Sequence, residues 1–64
     1  MTRQLAKVNT GNGREFVVIY DDKEKYNPFK LYVRGYGKDG NYHKELCDKY
    51  ADYRSCIFAI AHAI

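Results

Sequence analysis

The sequence predicts an α+β fold: a three- or four-stranded antiparallel sheet of two hairpins, packed on one face by a single C-terminal helix (β-β-β-β-α). Three observations predict it. Phe29 to Tyr36 alternates with a period of two, which is the repeat of a strand with two different faces. Two clusters rich in glycine, asparagine and aspartate, Asn9 to Gly13 and Gly37 to Gly40, punctuate the chain where hairpins would turn. After Asp52 the apolar spacing changes to that of a helix.

The elements follow in order. Gln4 to Val8 alternates loosely and runs into the turn at Asn9-Thr10-Gly11-Asn12-Gly13. Glu15 to Tyr20 is β-branched and aromatic, apolar on both faces, and suits a central strand. Asp21 to Lys25 is a charged loop, and Asn27-Pro28 starts the next extended segment. In that segment Phe29, Leu31 and Val33 point one way, while Lys30, Tyr32, Arg34 and Tyr36 point the other. Asp39-Gly40 marks the second hairpin turn. A fourth strand begins near Asn41 and ends at Cys47 or Tyr50. A two- or four-residue loop puts Tyr42 and Leu46 on its core side; a three-residue loop with a glycine bulge puts Cys47 there.

Asp52 is the expected helix N-cap, since its carboxylate can accept from the free amides of the first turn. From Tyr53 onward, Tyr53, Cys56, Ile57, Ile60 and Ile64 form one stripe with Ala61 and Ala63 at its edges. The opposite side carries Arg54, Ser55, Phe58, Ala59 and His62, among which Phe58 is the misfit. The last turn lacks a glycine or basic cap and is expected to fray.

At 64 residues the chain has room for one domain, residues 1–64, and one core. A chain of this size buries only about 60% of its unfolded surface, so a partner subunit would add stability, and a homodimer is among the expected states. No stretch approaches the roughly 20 apolar residues of a membrane span. No secretory leader is read at the N-terminus, and two cysteines make at most one bridge, so the expectation is a cytoplasmic protein with Cys47 and Cys56 as thiols. The net charge is +3, concentrated in residues 29–44, where Lys30, Arg34, Lys38 and Lys44 face Asp39 alone. Such a patch favours anionic partners.

No catalytic, metal-binding or cofactor motif stands out. His43, Glu45 and Cys47 share one face of the fourth strand, with the ingredients of a cysteine nucleophile and its base. Residues two apart on a strand lie about 7 Å from each other, however, beyond hydrogen-bond reach. His43, Cys47, Cys56 and His62 lack the spacing of structural zinc sites. Gly11-x-Gly13 has no helix after it and reads as a turn. The expectation is a protein without enzymatic activity, metal or cofactor.

Two binding patterns remain. Lys30, Tyr32, Arg34 and Tyr36 form an outward row of alternating cations and aromatics, extended by Lys38 in the turn, which supplies phosphate contacts and stacking surfaces for nucleic acid. Cross-strand stabilisation of an ordinary exposed sheet accounts for the same row. Arg54, Phe58 and His62, on the helix's outer side, instead suit a contact with another protein or a second copy.

From Phe29 to Ile64, two strands, a Lys-Asp-Gly turn, a short polar passage and a helix resemble in layout the arm-type DNA-binding domain of tyrosine integrases. The resemblance implies that the exposed sheet face enters the major groove, with Lys30, Tyr32, Arg34 and either His43 or Lys44 facing the DNA. It covers little over half the chain and rests on layout. The chain is also similar to short accessory proteins encoded on mobile elements of Gram-positive bacteria.

Overall fold

The computed structural model describes residues 1–11 and 13–63. Four strands, β1 (Thr2–Asn9), β2 (Arg14–Asp21), β3 (Phe29–Tyr36) and β4 (Tyr42–Tyr50), are followed by one helix, α1 (Tyr53–Ala63). The strands form one antiparallel sheet in the order β1-β2-β3-β4, so each pairs with its neighbour in sequence. The expected α+β layout is what the chain adopts, with four strands rather than three.

Each turn follows from its residues. In the first hairpin the Thr10 amide donates to the Arg14 carbonyl (3.1 Å), and the Gly11 amide to Asn9 Oδ1 (2.8 Å). In the second, the Gly40 amide reaches the Gly37 carbonyl (3.0 Å) and the Gly37 amide the Asn41 carbonyl (2.9 Å). Gly40 sits at φ 80°, the left-handed conformation that closes a three-residue loop with a glycine bulge. The three-residue alternative is therefore the one realised, with Tyr36 opposite Tyr42.

It does not carry Cys47 to the core. Tyr32 pairs with Leu46 but Leu31 with Asp48, so Cys47 is the extra residue of a second bulge and is exposed on the outer strand. Tyr42 and Leu46 share the face of their partners Tyr36 and Tyr32, away from the helix, which corrects the two- and four-residue alternatives. Leu5 is skipped in the same way on β1, so Gln4 lies opposite Ile19 whereas Ala6 lies opposite Val18. Both outer strands are thus bulged.

β2 is central, as its apolar run predicts. Phe16, Val17 and Val18 are all buried. Phe16 and Val18 join Leu31, Cys56 and Ile60 in the core beneath α1, with Ala6, Val8, Phe29, Val33, Tyr50 and Ala59 packed around them. Asp52 caps α1 by accepting from the Ser55 amide at 2.8 Å, and that bond holds its carboxyl below the usual range.

The helix is rotated from its expected seat. Cys56 and Ile60 are buried, but Ala59 and Ser55, expected outside, are half-buried, while Tyr53 and Ile57 stay 39% and 40% exposed. Small residues win the contact because Ala59 and Ser55 let the helix approach the sheet closely. Tyr53 still touches Phe29 by its ring (centroids 6.3 Å apart), and Phe29 in turn touches Tyr20 (5.2 Å). Ile64, expected on the stripe, lies outside the described residues.

Candidate functional site

Among the described residues, one face of the sheet is covered by α1 and the other has no layer over it. Residues paired across strands share a face, so the register assigns the open side directly. Its rows are Asn9-Glu15-Arg34-Lys44, Lys7-Val17-Tyr32-Leu46 and Gln4-Ile19-Lys30-Lys49, with Tyr36-Tyr42 at the hairpin end. The expected outward row Lys30, Tyr32, Arg34, Tyr36 is therefore on this face, and Lys38 is exposed in the turn beyond it.

The electrostatics of the row differ from its composition. Arg34 Nε donates to Glu15 Oε1 at 2.6 Å, and Lys30 Nζ to Asp21 Oδ2 at 2.9 Å. Each cation is thus matched by a carboxylate on β2. The Glu15 hydrogen bond raises the Arg34 pKa, and the Asp21 bond raises that of Lys30 while lowering that of Asp21. Glu24 lies 3.7 Å from Lys30 Nζ and 3.5 Å from Lys49 Nζ, so the charged loop clamps the end of the sheet. The Met1 amine joins it by donating to Asp22 Oδ1 at 2.6 Å.

What stays available on the open face is largely aromatic. Lys44 Nζ stands 4.8 Å from the Tyr32 ring centroid, a cation–π contact. Tyr36 and Tyr42 meet edge to face (5.6 Å), yet remain 74% and 53% exposed. Val17, only 1% exposed, is shielded on a face that no helix covers, lying in register between Lys7 and Tyr32. Of the two residues left open by the integrase-like layout, Lys44 is on this face; His43, opposite Gly35, is on the other.

On the helix side, α1 leaves a shallow cleft of about 310 Å³ at the hairpin end, lined in part by Arg14, Val33, Gly35, His43 and Glu45. His43 Nε2 is held by both oxygens of Asp39 at 3.2 Å. That bond and the one from the Asn41 amide, the larger influence, lower the Asp39 pKa. Cys47, displaced by its bulge, is not among the residues lining the cleft that His43 and Glu45 border. Burial raises the pKa of both thiols. Among the described residues no group of three or more His, Cys, Asp or Glu could hold a metal ion.

The outer side of α1 carries the other expected residues. Phe58 is 59% exposed, with Arg54 and His62 exposed one turn to either side. His62 Nδ1–H donates to the Phe58 carbonyl at 2.8 Å, a bond within the helix. Exposed Ile57 and Ala61 adjoin Phe58, making the apolar patch broader than Phe58 alone. Helical spacing could have disclosed it, had the buried side been centred on Cys56 and Ile60.

The class defined by these features is a four-stranded antiparallel meander with one C-terminal helix, an open basic-aromatic sheet face and an apolar outer helix face. No helix among the described residues is long and apolar enough to cross a membrane. No family model, curated protein or solved structure matches the chain.

Proposed function

We propose that this chain is a small non-enzymatic binding module that docks onto another protein through the outer face of α1. The observation that carries this reading is the exposure of Phe58 and of the neighbouring Ile57. Large apolar side chains gathered on one helix face gain about 25 cal/mol for each Å² they remove from water, whereas scattered singly they need no partner. Arg54 and His62 rim the patch, so the partner that fits is an apolar groove edged by carboxylates. A photo-crosslinking residue placed at Phe58, in the cells that make the protein, tests this. A discrete adduct that disappears when Ile57→Lys is added supports the reading. No adduct, or the same adducts from a probe at exposed Lys23, rejects it.

A second reading is favoured by the Tyr36–Tyr42 pair and by Lys44 over Tyr32: nucleic acid bound on the open sheet face, as the integrase-like layout implies. It ranks below the first because Lys30 and Arg34, the cations central to it, already answer Asp21 and Glu15. Phosphates would have to compete with those carboxylates. Titration of labelled chain with short single- and double-stranded DNA and RNA at low salt tests it by NMR. Shifts at Tyr32, Tyr36, Tyr42 and Lys44 that fade with salt support it, and a flat titration dismisses it.

A further inference from the structure

The β4 edge of the sheet carries a backbone pattern that neither docking surface uses. β4 is an outer strand, and the hydrogen-bonded pair Gly37–Asn41 sets the phase of its ladder. Hydrogen-bonded and non-bonded pairs alternate along an antiparallel ladder, so Gly35–His43 and Val33–Glu45 exchange bonds across β3 and β4. The backbone groups of Tyr42, Lys44 and Leu46 consequently point away from β3, toward the open edge. All three residues are exposed.

We infer that this edge pairs with the same edge of a second copy, antiparallel about a twofold axis at Lys44, joining two sheets into one of eight strands. The sequence Tyr42-His43-Lys44-Glu45-Leu46 is self-complementary in that register. Tyr42 meets Leu46 of the second copy on the open face, covering side chains that are 53% and 46% exposed in the single chain. His43 meets Glu45 of the second copy on the helix face, and both pairs occur twice by symmetry. Centring one residue later sets Glu45 against itself; centring one earlier sets His43 against itself and Tyr42 against Lys44. Pairing ends after Leu46 because the Cys47 bulge breaks the strand.

Lysine on an edge strand ordinarily guards against such pairing. Here Lys44 sits on the axis and would face its own copy, but its ammonium is drawn over the Tyr32 ring of its own chain, toward the sheet interior rather than the edge. The guard is turned inward. The contact is short, which makes it a weak, concentration-dependent dimer.

Sedimentation equilibrium of the full chain from about 10 µM to about 1 mM tests the inference, with folding followed by circular dichroism. The wild type is expected to shift from monomer to dimer across that range. Chain synthesised with a methyl group on the Lys44 backbone nitrogen loses one edge donor and no β3–β4 bond, and it is expected to stay folded and monomeric. His43→Glu is expected to weaken the dimer about tenfold by setting like charges opposite each other twice, and the double variant His43→Glu/Glu45→His to restore it. Phe58→Lys is expected to leave it unchanged, which separates this contact from helix docking. A wild type that remains monomeric to the top of the range overturns the inference. So does a dimer indifferent to the methyl group, unrestored in the double variant, or abolished by Phe58→Lys.

Discussion

Arg34 and Glu15 stand directly opposite one another on β3 and β2, and the guanidinium Nε donates to the carboxylate at 2.6 Å. A cation that reads as free in the sequence is half-buried and answered by an anion nineteen residues earlier. Glu15→Gln is expected to release it. The variant should elute later than wild type from a heparin column, and the salt dependence of any nucleic-acid binding should steepen by about one counterion. Unchanged elution would show that Arg34 is held by its surroundings rather than by Glu15.

Gly35 is required by a close approach rather than by its own backbone angles. A Cβ built there would run into the carbonyl oxygen of Gly13, and the Arg14 Cα lies 3.2 Å from the same point. Both obstacles are backbone and cannot rotate aside. Gly35→Ala should therefore cost about 1–3 kcal/mol in urea denaturation, by the same overpacking that penalises added methylenes in a core.

Cys56 is fully buried against Phe16, Val18 and Leu31, so it acts as a small apolar residue. Cys56→Ser places a hydroxyl in that apolar setting and should cost about 1–3 kcal/mol. Cys56→Val, which keeps the site apolar, should cost less. If serine proved the milder change, the site would have to offer the hydroxyl a partner.

Three carboxylates have pKa values below the ordinary one: Asp21 by its bond from Lys30, Asp39 chiefly by the Asn41 amide, and Asp52 chiefly by the Ser55 amide. A depressed folded pKa means that the unfolded chain binds protons first as pH falls. The stabilisation is complete above the unfolded value of about 3.9 and is lost as pH drops through the lower folded values. Thermal melts should accordingly show Tm falling steeply below about pH 4. Asp52→Ala should lower Tm at neutral pH and flatten that acid limb.

Phe58→Lys should leave the isolated chain's stability within about 0.5 kcal/mol of wild type, since most of the ring already faces water. Urea midpoints check this. A larger loss would mean that Phe58 supports the fold, and the helix-docking proposal would lose its basis.

Much of this architecture was legible locally. β3 declared its two faces through Phe29, Leu31 and Val33 against Lys30, Tyr32 and Arg34, and β2 its central place by being apolar on both sides. Asp52 marked the start of α1, and the glycine at position 40 marked a tight turn. The basic-aromatic row was legible as a set of residues but not as an electrostatic surface, because Glu15 and Asp21 had no local sign of facing Arg34 and Lys30. The seat of α1 was not legible, because the size of an apolar side chain does not by itself put it on the inner side. Ser55 and Ala59 take it instead, and Ile57 is left outside.

By itself the amino-acid order determined the succession of elements, the sites of both hairpin turns, the apolar character of β2 and the two-faced pattern of β3. These depend on periodicity, turn chemistry and capping, which act over a few residues. Tertiary structure alone decided the bulges at Leu5 and Cys47, the neutralisation of Lys30 and Arg34, and the rotation of the helix. Each depends on how distant segments come into register, and a shift of one residue across a strand pair moves side chains between faces without altering any local pattern.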